Sequence, residues 1–171
     1  MAVVLEKLEK ETYPIVKWVG GKRQLMFELL KNMPKSYNRY FEPFIGGGAL
    51  FFELQPENAY ISDMNDELIN LYSVVRDNVY ELISDLNKHE VSKEYFLEIR
   101  NLDRTDEYKN LSDVQRASRF IYLNRTCFNG LYRVNSQGQF NVPFGNYKNP
   151  RIVDKISTLN FCIFQKFRTV K

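Results

Sequence analysis

The stretch FEPFIGGGALFFEL, residues 41–54, restricts most strongly what this chain can fold into. Apolar runs on both sides of three adjacent glycines describe a strand, a tight turn and a helix, because a residue without a Cβ lets the backbone turn sharply and admits a close neighbour. A second short apolar run, AYIS at 59–62, follows and ends at Asp63. Strand, helix and strand in this order predict a parallel βαβ unit. In such a unit a ligand can approach the bare backbone of the turn, and an acid at the end of the next strand can accept hydrogen bonds from ribose hydroxyls. The glycines are contiguous rather than spaced as Gly-x-Gly-x-x-Gly, and Glu42 precedes them. That departure weakens a dinucleotide reading and leaves open an adenosine-containing ligand without a pyrophosphate. A glycine loop with no ligand is the bland alternative.

The remaining pattern is largely helical. Residues 22–33 set Leu25, Met26, Leu29, Leu30 and Met33 at helical spacing, and Pro34 suits the helix end. After Asn65, the stretches DELINLYSVVRD, NVYELISDLNKH and SKEYFLEIRNL place apolar residues three and four apart, and Asp113 is the expected cap of a further helix through VQRASRFIYLNR. Residues 131–144 change to β-formers around NSQG, which predicts a hairpin turning at Asn135 to Gly138. The stretch STLNFCIFQKFRTVK reads as one more strand with a basic end. A chain of 171 residues, 44% hydrophobic, can close one core with a smaller lobe beside it.

Charge is segregated along the chain. Residues 42–103 carry 4 basic against 13 acidic side chains, whereas residues 104–171 carry 12 against 4. Arg116, Arg119, Arg125, Arg133, Lys148 and Arg151 should therefore present a basic surface to a polyanion, nucleic acid first, with an ordinary solvated face as the alternative. Cys127, Cys162 and the single His89 stand in no disulfide or zinc spacing, so no metal is expected and a reducing cytoplasm fits. The N-terminus MAVVLEKLEKE lacks the apolar core of a secretory signal, and no run reaches membrane-spanning length.

Two further stretches carry chemistry. In PIVKWVGGKRQL, Trp18 and Lys22 flank Gly20 and Gly21, an arrangement that can set a ring and an ammonium against a planar, carboxylate-bearing ligand; a Trp that anchors the core fits as well. In residues 124–150, Asn129, Arg133, Asn135, Gln137, Asn141 and Asn146 are the side-chain types that read base edges. Phe128, Tyr132 and Tyr147 can stack on bases or wedge into a duplex, and Arg125, Lys148 and Arg151 can contact phosphate. A polar surface hairpin is the alternative.

Taken in order, KWVGGK, FEPFIGGGALFFEL, ISDMNDELINLY, YLNRTCFNGLYRVN and FNVPFGNYKNP resemble the Dam-type, D12-class adenine-specific DNA methyltransferases. The resemblance implies an α/β fold, a Rossmann-like methyltransferase sheet with an inserted helical and β-hairpin lobe that reads a short site such as GATC. It implies S-adenosylmethionine as methyl donor and double-stranded DNA as partner, in the cytoplasm of a bacterial or phage-infected cell. Carried over by position, Trp18, Lys22, Phe44, Gly46, Gly48 and Asp63 would surround the donor. Lys17, Arg125, Phe128, Asn129, Leu131, Arg133, Tyr147 and Lys148 would face DNA, with Phe128 inserted where the target adenine flips out. The implied division is 1–66 for donor binding, 67–153 for target recognition and 154–171 for the return toward the sheet.

Two departures bound the expectation. The Asp-Pro-Pro-Tyr block that the family's chemistry needs is absent, and Asn141-Val142-Pro143-Phe144 only imitates it. No catalytic residue is therefore expected in these residues, and the sheet is expected to be incomplete, finished by a further C-terminal segment or a second chain. Gly145-Asn146-Tyr147 stands where the family has a GRY-like sequence, so one DNA contact behind the family's usual site preference is lost. The expected function is transfer of a methyl group to the exocyclic amino group of a flipped adenine; the alternative is a truncated remnant that binds DNA or donor without catalysis.

Overall fold

The computed structural model describes residues 14–153 and 167–170. Strand β1 (Tyr40–Glu42) leads through the glycine turn into helix α2 (Ala49–Leu54) and strand β2 (Ala59–Ile61). The two strands are parallel, with Tyr40 opposite Ala59, as the apolar pattern predicts. Strand β3 (Phe167–Thr169) joins β2 on its other side, also parallel, with Ala59 opposite Phe167, so the sheet order is β1-β2-β3. Only this part of the expected last strand is described; the stretch 154–166, which includes Cys162, and the N-terminal residues 1–13 lie outside the described residues.

Before the sheet, a 3-10 turn (Lys22–Leu25) runs into helix α1 (Met26–Asn32). This corrects the uniform helix expected over 22–33. Met26, Leu29 and Met33 pack on the core, whereas Leu25 and Leu30 face outward. After the sheet come helices α3 (Asp66–Asp77), α4 (Val79–Leu86), α5 (Lys93–Asn101) and α6 (Asp113–Thr126). Asn65 caps α3 by accepting the Leu68 N–H at 3.0 Å. At α6 the cap is Ser112, not Asp113. Ser112 Oγ accepts from the Gln115 N–H while Gln115 Oε1 accepts from the Ser112 N–H, a reciprocal pair that Asp113, as first helical residue, complements with its charge.

One apolar cluster joins the sheet to the helices. Phe51 and Phe52 of α2, Ile61 of β2, and Leu68, Leu71 and Tyr72 of α3 are all buried, and Phe167 meets the Phe51 ring edge-on at 5.6 Å. Leu82 and Leu86 of α4 and Ala117, Phe120 and Ile121 of α6 belong to the same cluster, so the core is continuous across residue 66. A second cluster packs Phe140 and Val142 against Phe96 and Ile99 of α5 and Tyr122 and Leu123 of α6. Helix α6 is thus buried on opposite faces and is the wall shared by both.

The expected hairpin at 131–144 has its turn but not a ladder. Gly138 N–H donates to the Asn135 carbonyl at 3.0 Å, and the backbone of the arms pairs in an isolated antiparallel bridge, Val134 with Phe140, with a second, Cys127 with Phe144, at their base. Side chains take the place of a ladder partner. Asp103 Oδ2 accepts the Phe140 N–H at 2.8 Å and Arg104 Nη2 donates to the Phe140 carbonyl at 2.8 Å.

Candidate functional site

The glycine turn is closed from the far side by Asp63. Its Oδ2 accepts the Gly46 N–H at 2.9 Å and its Oδ1 accepts the Asn65 N–H at 3.0 Å, so the carboxylate ties the turn after β1 to the turn after β2. Gly46 and Gly48 have φ of +53° and +74°, a region that side chains with a Cβ rarely occupy. The close neighbour that the bare backbone admits is the protein's own indole. A Cβ on Gly46 would stand 2.8 Å from Trp18 Cδ1, and one on Gly47 would stand 3.1 Å from Trp18 Cβ. Gly48 points elsewhere: a Cβ there would meet the Tyr72 hydroxyl at 2.8 Å and the Phe52 ring at 2.9 Å. The Tyr72 hydroxyl donates to the Gly46 carbonyl at 2.9 Å, and burial pushes that phenol's pKa well up.

Lys22 reaches the same turn. Its Nζ donates to the Phe44 carbonyl at 2.6 Å and lies 2.9 Å from Glu42 Oε1. Glu42 is 4% exposed, and its Oε2 accepts from the Tyr40 hydroxyl at 2.7 Å. Burial, and then that bond to Glu42, raises the Tyr40 pKa. Sequence reading took Glu42 only as a departure from a fingerprint. The signal for its burial was its place two residues after Tyr40 on a strand, which puts both on one face.

Trp18, Lys22, Phe44, Gly46 and Asp63 line one open cleft of about 240 Å³. An adjoining cleft of about 640 Å³ shares Trp18 and adds Lys17, Arg23, Gln24 and Arg125. Gly48 lines neither. Phe44 is 67% exposed and offers a free ring face at the rim of the smaller cleft. Trp18 is partly buried, stacked on Tyr132 at 5.5 Å and 20° and on Phe120 at 6.2 Å. It is both a core anchor and a cleft wall. Tyr132, expected to stack on bases, is instead packed against the rings of both Trp18 and Phe120, with its hydroxyl pushed up to about 12 by burial.

The segment after α6 presents a different surface. Phe128, 51% exposed, and Asn129, at φ 57°, stand on a 3-10 turn (Phe128–Gly130). Arg133 is exposed, and its Nε donates to Asn141 Oδ1 at 2.8 Å. Tyr147, Lys148 and Lys17 are exposed as well, whereas Leu131 packs partly against the second cluster. Asn135 spends its side chain on the turn, accepting from the Gln137 and Gln139 N–H groups. The imitation motif is structural: Val142 is 1% exposed, and the Pro143 carbonyl accepts the Phe128 N–H at 2.8 Å.

The basic surplus is partly folded inward, which corrects the expectation that all of it forms a surface. Arg116 pairs with Glu67, and Arg119, 8% exposed, pairs with Asp103 at 2.8 Å and donates to the Ile99 carbonyl. Arg125, expected at phosphate, donates from Nη2 to the Ile15 carbonyl at 2.7 Å. Acids from the 42–103 region serve as partners because α3 and α5 pack beside α6. Among the described residues no group of His, Cys, Asp or Glu could hold a metal, and no helix is long and apolar enough to cross a membrane. Cys127 is buried, which pushes its thiol up to about 11.

Comparison with known proteins identifies the family. The family profile of the D12 class N6 adenine-specific DNA methyltransferases matches residues 18–167. The chain is 54% identical over 154 residues to the type II methyltransferase M1.LlaDCHI of Lactococcus lactis subsp. cremoris, covering 89% of this chain and 54% of that protein. It is 39% identical over 168 residues to the type II methyltransferase M.MjaIII of Methanocaldococcus jannaschii, covering 88% and 58%. It is 38% identical over 141 residues to the DNA adenine methylase of Haemophilus influenzae, covering 79% and 48%. The chain spans about half the length of these relatives.

Proposed function

The chain belongs to the D12 class N6 adenine-specific DNA methyltransferases, and from that premise we propose that it carries the methyl-donor cleft and the DNA-reading surface of such an enzyme. The supporting observation is convergence. Trp18, Lys22, Phe44, Gly46 and Asp63, scattered over more than forty positions of sequence, line a single cleft.

The donor set suits S-adenosylmethionine. The Lys22 ammonium can meet its carboxylate, the Phe44 ring can lie against the adenine, and the Asp63 carboxylate can accept from ribose hydroxyls while it holds the Gly46 turn. Bound there, the donor supplies a methyl group on a sulfonium, which needs no metal. The residues of this chain bind and orient it and leave the chemistry to an Asp-Pro-Pro-Tyr block. That block comes from a further segment or a second chain, where its carboxylate and backbone carbonyl hold the amino group of a flipped adenine.

DNA is met by the 67–153 part together with Lys17. Phe128 fills the space vacated by the flipped adenine, Arg133 reads a base edge, and Lys17, Asn129, Leu131, Tyr147 and Lys148 flank it. A GATC-like site is the preferred substrate, with Asn146 replacing one family DNA contact. The second reading, a donor- or DNA-binding remnant without catalysis, is favoured by one fact, the absence of Asp-Pro-Pro-Tyr from these 171 residues.

The test is to titrate the protein with S-adenosylmethionine and with duplexes, then assay transfer of a labelled methyl group to adenine with and without a segment carrying the missing block. Binding of both, with transfer only when the segment is added, supports the enzyme reading. Binding with no transfer under either condition favours the remnant. A folded protein that binds neither ligand defeats both.

A further inference from the structure

Asn124 joins the cleft segment to the turn that carries Phe128. The residue lies near the end of α6 and is 1% exposed. Its Oδ1 accepts the Lys17 N–H at 2.9 Å, and its Nδ2 donates to the Lys17 carbonyl at 3.0 Å and to the Gly130 carbonyl at 2.9 Å. Lys17 offers one donor and one acceptor, so the amide orientation is fixed, since the flipped form would set donor against donor and carbonyl against carbonyl. Both N–H bonds and the carbonyl of the buried amide are used, as burial of such a group requires.

The two partners belong to different segments of the chain. Lys17 precedes Trp18, which lines both clefts, and Gly130 closes the turn that presents Phe128 and Asn129. The two also touch: Gly130 has φ of +65°, and a Cβ there would fall 2.5 Å from Lys17 Cδ. A shift of either strand of chain therefore breaks a bond to the same amide. We infer that Asn124 is a positioning residue that locks the Trp18 segment to the Phe128–Gly130 turn, so that donor binding and duplex binding strengthen each other through it. This rests on the reading of the two surfaces given above. The reason for a positive sign is that whichever ligand orders its own segment first leaves the other already ordered, and such linkage is reciprocal.

The coupling is measurable because Trp18 is the single tryptophan and sits in the cleft wall. Its emission gives the S-adenosylmethionine dissociation constant of the full chain with and without a saturating GATC duplex. The duplex should tighten donor binding by about fivefold or more in the parent protein and by less than about twofold in Asn124→Ala and Asn124→Asp. Asp keeps the shape and the acceptor for Lys17 but loses both donations, and so carries the test if Ala does not fold. Leu86→Ala, a core change on α4, controls for general destabilisation and should keep the full coupling.

Hydrogen exchange of the parent protein needs no variant. Duplex alone should slow exchange of the Lys17 amide by about fivefold or more, and an unchanged rate overturns the inference. Folded Asn124 variants that retain the coupling overturn it too, while leaving the proposed function intact. A parent protein that binds neither donor nor duplex defeats the proposed function and the inference together.

Discussion

Asp63 and Gly46 are bonded across the site, carboxylate Oδ2 to backbone N–H at 2.9 Å, although 17 residues separate them. One side chain thereby shapes the turn and presents charge to the cleft. Asp63→Ala should weaken S-adenosylmethionine binding by about 1–3 kcal/mol, the range for loss of a hydrogen-bonded carboxylate. Asp63→Asn, which keeps a carbonyl acceptor, should fall between. Isothermal calorimetry decides it, and equal affinities in all three proteins would remove Asp63 from the site.

Two glycines separate backbone strain from crowding. Gly20 and Gly46 both have positive φ, but a Cβ at Gly20 would meet nothing within 4 Å, whereas at Gly46 it would meet Trp18 at 2.8 Å. Gly20→Ala should therefore destabilise by about 1–2 kcal/mol from backbone strain alone. Gly46→Ala should add about 1–3 kcal/mol of overpacking and shift Trp18 emission. Denaturant unfolding compares them, and equal losses with unchanged emission would contradict the seat assigned to Trp18.

Arg133 and Lys148 should differ in kind. Arg133 is held by Asn141 and can meet guanine through two N–H groups, while Lys148 is an exposed point charge. Arg133→Ala should lower affinity for a GATC duplex by about 1–3 kcal/mol and flatten its preference over a scrambled one, whereas Lys148→Ala should weaken all duplexes alike and reduce the salt slope by about one. Affinity titrations at several salt concentrations check both. An equal loss on every sequence for Arg133→Ala would move it among the phosphate contacts.

His89 makes stability depend on pH. Its Nδ1 lies 2.9 Å from the Tyr95 hydroxyl, its Nε2 lies 3.0 Å from Ser118 Oγ, and its ring stacks on Tyr122 at 4.4 Å. Burial lowers its pKa below the ordinary 6.5, and nearby Asp85 only partly opposes this while Lys88 reinforces it. The unfolded chain then binds the proton more tightly. Stability is fully present above pH 6.5 and falls as pH drops through the folded-state value, by at most about 1.4 kcal/mol per pH unit. His89→Gln should flatten the melting temperature between pH 7 and 5. An identical slope in that variant would assign the loss to other groups, such as Asp77 and Asp85, whose pKa values lie below the ordinary carboxylate value and titrate lower.

The sequence by itself determined the backbone plan. Strand, glycine turn, helix and strand at 40–61 were legible because side-chain period and the absence of a Cβ act on adjacent residues, and so were the helices after Asn65. It also carried the family blocks, whose cleft residues the fold brings together. Which partner each side chain takes was decided only in three dimensions. Trp18 fills the space over Gly46 and Gly47, Tyr132 packs on that indole, and Arg119 turns to Asp103. Asn124 bonds to Lys17 from 107 positions away. Residue type alone assigned Tyr132 to bases and Arg119 to a basic surface because it takes rings and charges without their neighbours, and it gave Asn124 no role. A buried polar group must instead find a partner within hydrogen-bond reach, and that partner is chosen by packing rather than by place in the chain.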